Sequence, residues 1–151
     1  MRHILIAALA LFPLAASAQD DDPIKQSIEA RHGYLQMLAI NMGTLSGMAK
    51  GEVAYDETVA SRAAANIEAL THYDYPSLFL EGSAAGQAED SAAKPDIWTN
   101  MDDFKAKFAG LQEAAVGATD AVKGGEGNVG PVVQKLGGAC KACHDLYREK
   151  S

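Results

Sequence analysis

The apolar residues of this chain recur at intervals of three, four and seven in four separate runs, and no stretch alternates polar with apolar over more than a few positions. That period marks amphipathic helices, and its persistence restricts the chain to helices packed on helices. β-Branched residues are sparse, so no strand is expected.

The first run opens at Asp22-Pro23, an N-cap aspartate followed by a proline suited to the first helical position. It carries Ile24, Ile28, Leu35, Leu38, Met42, Leu45, Met48 and Ala49, and it is expected to stop near Gly51. The second opens at Asp56, continues through Val59, Ala63, Ile67 and Leu70, and is stopped by Pro76. Residues 76–95 hold Gly82, Ser83, Gly86 and Ser91 and read as a surface loop. The third opens at Pro95-Asp96, carries Ile97, Trp98, Met101, Phe104, Phe108, Leu111 and Ala115, and ends at Gly124-Gly125. The last runs from about Asn128, with Pro131 in its first turn, to Lys150, and its apolar face holds Val132, Val133, Leu136, Cys140, Cys143 and Tyr147. Four helices of about 18 to 28 residues predict an all-α, up-down antiparallel four-helix bundle.

The residues before the first helix read as an address. Met1-Arg2-His3 is a positive n-region, Ile4 to Leu14 is apolar, and Ala16-Ser17-Ala18 is a small-residue cleavage site. The apolar run is about half the ~20 residues that span a bilayer, which favours a signal peptide over a membrane anchor. Removing residues 1–18 of 151 leaves 133, a domain over 19–151, and losing Arg2 moves the formal charge from −7 to −8. The mature chain is therefore expected in the periplasm, without a membrane span. An acidic chain repels phosphate backbones, so nucleic acid is a poor partner.

One motif carries chemistry. Cys140-Lys141-Ala142-Cys143-His144 is C-x-x-C-H, the form of a c-type haem attachment site. On a helix the two cysteines lie on one face a turn apart, so both sulfurs reach the two vinyl groups of one haem c. His144 then presents its imidazole to the iron as the metal ligand. A thioredoxin-like redox pair needs a βαβ setting that this pattern lacks. A zinc half-site needs two further ligands at close spacing, and the mature chain retains only His32 and His72. Export agrees with haem attachment, because bacterial c-type assembly takes place outside the cytoplasm.

The motif lies seven residues from the C-terminus, on the last helix. The stretch from Gln134 through Leu136-Gly137-Gly138-Ala139-Cys140 to His144-Asp145-Leu146-Tyr147-Arg148 resembles the last helix of the cytochromes c′, the class II c-type cytochromes. Pro95-Asp96-Ile97-Trp98 with Phe104, and Arg31 with Leu35, match in the same order and spacing, so the resemblance spans residues 20 to 150. It implies that Cys140 and Cys143 hold the haem and that His144 is the axial ligand. It implies that Arg31 pairs with a haem propionate and that Leu35 covers the far face of the iron. Phe79 would wall the pocket, and Arg148 would stand beside the proximal histidine. Each of these four also has a plain reading: a solvated charge for Arg31, core packing for Leu35 and Phe79, and a helix-dipole cation for Arg148.

The sixth position on the iron decides the function. Leu35 has no donor atom, which implies five-coordinate, high-spin iron open to nitric oxide and carbon monoxide and cycling between ferric and ferrous states. The alternative is a low-spin electron carrier with a sixth ligand. Met37 lies about 200° around the helix from Leu35, and Met42 is two turns, roughly 10 Å, away. His32 is the stronger rival, although its place beside Arg31 suits the haem edge better. Peroxide chemistry wants a distal acid–base pair that Leu35 does not supply, so no enzyme is expected. The family also implies a homodimer through the first two helices, for which Met42, Met48, Val53, Tyr55 and Val59 are apolar candidates. The acidic charge suggests a basic redox partner.

Overall fold

The computed structural model describes residues 22–150, so the expected signal peptide lies outside the described residues. Helices α1 (Pro23–Ala49), α2 (Glu57–Thr71), α4 (Met101–Ala115) and α6 (Val129–Tyr147) form a four-helix bundle. Two short helices, α3 (Asp96–Thr99) and α5 (Ala118–Ala121), flank α4. Around the bundle α1 packs on α2, α2 on α4, α4 on α6, and α6 back on α1.

Local chemistry sets the helix ends. The Asp22 carboxylate accepts from the Ile24 N–H at 2.9 Å, and Asp56 accepts from the Val59 N–H at 2.9 Å, each satisfying a free donor of a first turn. α1 stops where Gly51 takes a left-handed φ of +69°, a conformation that costs other residues a steric clash. Along α1, Ile28, Tyr34, Leu38, Leu45 and Met48 are buried on one stripe. All of these but Ile28 meet Ala60, Ala63, Ala64 and Ile67 of α2 and Leu136 of α6 in a single core. Each large aliphatic side chain buried there stabilises the fold by about 1.5–3 kcal/mol.

Three expectations need correcting. The third run is not one helix from Pro95 to Gly124. It breaks at Asn100, whose φ of −130° and ψ of 41° are non-helical. It breaks again at Val116 and Gly117, where Gly117 turns left-handed at φ +74° before α5. The second helix ends at Thr71, before Pro76, and the chain then forms a 3-10 turn over Tyr75–Leu78 that leads into the stretch read as loop. The last helix ends at Tyr147 rather than Lys150, because backbone from the loop takes over its end. The Lys94 N–H donates to the Tyr147 carbonyl at 3.0 Å, and the Glu149 N–H donates to the Ala92 carbonyl at 2.8 Å. Residues 92–94 thus form a strap across the C-terminus of α6.

Among the described residues no helix is long and apolar enough to cross a membrane.

Candidate haem site

A cavity of about 660 Å³ opens between α1, α4, α6 and the strap. Ligand sites of roughly 300–1,000 Å³ are apolar with a few placed polar groups, and this one follows that pattern. All eight residues singled out from the sequence line it: Arg31, His32, Leu35, Phe79, Cys140, Cys143, His144 and Arg148.

The α6 wall carries the C-x-x-C-H motif. Cys140 and Cys143 are half-buried, not joined to each other, and packed against the core. Burial pushes the Cys143 thiol up to about 11 and raises Cys140 as well, so both are neutral thiols at pH 7. His144 is half-buried. Desolvation, helped by the charge of Arg148, holds its imidazole below the ordinary histidine range. That favours the neutral ring, which is the form that ligates a metal.

The α1 wall has two characters. Leu35, Leu38, Ala39 and Met42 present apolar surface. Leu35 is 36% exposed, much more than the core leucine Leu45 at 0%. A leucine kept partly bare on the rim of an apolar cavity leaves surface that the chain itself does not cover. Arg31, by contrast, is 4% exposed. Its Nη2 donates to the Ser83 carbonyl at 3.1 Å, and its guanidinium carbon lies 4.6 Å from the centre of the Phe79 ring. Its Nη1 is buried with no hydrogen-bond partner among the described residues. An unpartnered buried guanidinium nitrogen is costly unless an anion meets it. His32, next in sequence, is exposed at the cavity rim.

An aromatic cluster closes the inner end. Tyr34 and Tyr75 stack at 4.5 Å, Phe79 meets Phe104 edge-on at 4.6 Å, and Phe104 meets Tyr147 edge-on at 5.3 Å. The Tyr34 hydroxyl donates to the Leu70 carbonyl at 2.8 Å, and burial raises its phenol to about 12. Trp98 Nε1 donates to the Phe79 carbonyl at 3.2 Å, fixing the loop that carries this ring.

Sequence reasoning passed over Tyr34, Tyr75, Lys107 and the strap residues 91–93 as parts of this wall. Tyr34 had a usable signal, since it lies three positions after Arg31 on the same helical face. Tyr75 had none, because it lies where the second helix was expected to continue.

The donor set fits a flat, largely apolar group that carries a carboxylate, attaches to two thiols and takes one imidazole on its metal. Those features define a c-type haem protein on a helical bundle. The family model described as cytochrome c′ matches residues 26–148. The chain is 43% identical to cytochrome c-554 of Cereibacter sphaeroides over 99% of both chains. It is 39% identical to cytochrome c′ of the same organism, again over 99% of both. A solved cytochrome c′ from a Rhodobacter species superposes with a TM-score of 0.81 at 38% identity, covering 85% of this chain and 98% of that one. Two further solved neighbours are each 25% identical. One is a nitric oxide complex of a variant cytochrome c′ from Alcaligenes xylosoxidans, with a TM-score of 0.70 over 84% of this chain and 97% of that one. The other is a cytochrome c′ described by its ligand-controlled dimer dissociation, with a TM-score of 0.75 over 85% of this chain and 98% of that one. The chain belongs to the cytochrome c′ family, whose haem c is covalently bound, and Cys140 and Cys143 fit that attachment.

Proposed function

We propose that this protein is a periplasmic c-type haem protein that binds nitric oxide and carbon monoxide and cycles between ferric and ferrous iron, with His144 as the protein ligand that would hold the iron. The observation that carries this reading is the apolar α1 wall. Leu35, Leu38 and Ala39 offer no donor atom, and Leu35 is left partly bare. The haem supplies reversible one-electron chemistry and a metal centre for a diatomic ligand. The chain does the rest. Cys140 and Cys143 would anchor the group, His144 would supply a nitrogen to its iron, and Arg31, with its unpartnered Nη1, would meet a propionate. Leu35 excludes water and hydrogen-bond donors from the open face. Bound dioxygen gains from a polar distal partner and is disfavoured there, whereas nitric oxide and carbon monoxide need less polar help. Phe79 holds the Arg31 side chain by its ring face, and Arg148 biases His144 toward the neutral ring.

Peroxidase chemistry is not part of this reading. Arg31 is buried and committed to Ser83 and Phe79, while His32 is exposed at the rim. The two therefore do not act as a distal acid–base pair. The relative from Alcaligenes xylosoxidans was solved with nitric oxide bound, which supports the same ligand class here.

One observation favours the electron-carrier reading: Met42, a thioether, lines the same cavity. The two readings separate on gas binding. Carbon monoxide or nitric oxide added to the reduced protein shifts the Soret band if the face is open. An unchanged band at high gas concentration rejects the open site.

The reading includes cleavage after Ala18 for export, and a homodimer formed across α1 and α2. The apolar contacts differ from those read in the sequence. Met48 is buried in the core, and the Tyr55 hydroxyl is bound to the Val122 carbonyl at 2.8 Å. Met37 and Ile40, at 48% and 59% exposure on α1, are the better candidates, together with Val53. The neighbour described by its unusual ligand-controlled dimer dissociation supports a dimer as the assembly.

A further inference from the structure

At the Cys143 end of the cavity, α4 places two opposite charges beside the haem-bearing face of α6. Lys107 is on the cavity wall, and its Nζ lies 3.5 Å from Oδ1 of Asp103. The other carboxylate oxygen, Oδ2, accepts from the Tyr147 hydroxyl at 2.6 Å. Tyr147 is itself on the cavity wall, one turn beyond His144 and four residues beyond Cys143. Its ring is buried edge-on against Phe104. The carboxylate is thus tied on both oxygens, and neither charge swings free as most surface lysines and aspartates do.

We propose that Asp103 and Lys107 are a pair of positioning charges that act on the reduction potential of the haem in opposite directions, each offsetting the other. An anion near the iron favours the more positive ferric state and lowers the potential, and a cation raises it. Tyr147 holds Asp103 and Asp103 holds Lys107, so the two charges stay together and removal of either unmasks the other. The hydrogen bond from Tyr147 also keeps Asp103 below the ordinary carboxylate range, so the anion persists at neutral pH. In the sequence both residues look like solvated charges on the outer face of a helix, and nothing about the axial ligand or the gas site requires them.

This inference rests on the haem c assignment and not on the open-iron reading. The test is the midpoint potential of the holoprotein with D103N and with K107M, measured by optical redox titration. The asparagine of D103N retains an oxygen to accept from Tyr147 and loses only the charge, and the methionine of K107M keeps much of the apolar stem of Lys107. D103N is expected to shift the potential up and K107M to shift it down, with the double variant close to wild type. Unchanged potentials, or shifts of the same sign in both single variants, overturn the proposal. A merely structural pair would lower the melting temperature of both variants and leave the potential where it was. Soret absorbance per chain reports haem attachment separately, and a wild-type chain without it would overturn the haem assignment beneath the proposal.

Discussion

Arg31 lies over the ring of Phe79, its guanidinium carbon 4.6 Å from the ring centre, with one terminal nitrogen on the Ser83 carbonyl and the other buried without a partner among the described residues. The ring and the carbonyl satisfy part of a cation that would otherwise be expensive to bury. What remains is a donor nitrogen left for an anion that these residues do not provide. In the proposed holoprotein a haem propionate supplies that anion.

Arg31→Leu should therefore leave the covalent haem in place but weaken the holoprotein by about 2 kcal/mol, the scale of a lost charged hydrogen bond and ring contact. Urea unfolding followed at the Soret band measures it. A larger effect on the haem-free chain than on the holoprotein would contradict the propionate role.

Leu35→His places an imidazole where the wild type has only a methyl-terminated side chain. The expected result is conversion of the iron to low spin and loss of carbon monoxide binding. A variant that still binds the gas as wild type does would mean that Leu35 does not cover the open face.

Tyr34→Phe removes the hydroxyl bound to the Leu70 carbonyl and should cost about 1 kcal/mol at neutral pH. Its pH dependence has a definite sign. Burial raises the folded phenol to about 12 from the ordinary 10.0. Its contribution is full below pH 10 and is lost as pH rises from 10 toward 12, because the unfolded chain releases the proton first. Denaturant titrations across that window should show a shallower alkaline loss in Y34F than in wild type.

Ile40→Glu should turn a dimer into a monomer by sedimentation while leaving the Soret spectrum unchanged, because Ile40 is 59% exposed on α1 and does not line the cavity. A dimer that survives this change, and a second one at Met37, would place the interface elsewhere.

Much of the fold was legible because it is local. An aspartate before a proline caps a helix by its own side chain, and Asp22 does so here. Two cysteines and a histidine at fixed spacing share one helical face without help from the rest of the chain. The breaks in the third run were not legible in the same way. The apolar period passes straight through Asn100 and Val116, and the local signals there, an asparagine at the start of α4 and the left-handed Gly117 after α4, are single residues that the period overrides in a sequence reading. The strap over α6 is a pairing between residues 92–94 and 147–149, which no periodicity records. Lys107 was opaque for a related reason: a lysine on a helix is usually solvated, and only the arrangement of α4 against α6 turns it toward the cavity.

The spin state of the iron in the isolated wild-type protein tests the central claim most directly. Optical and electron paramagnetic resonance spectra of the ferric and ferrous forms read it without added ligand. An iron bound by His144 alone gives high-spin spectra in both forms, with no methionine–sulfur band near the red edge. Low-spin spectra, with or without that band, would show a sixth protein ligand and contradict the open face at Leu35.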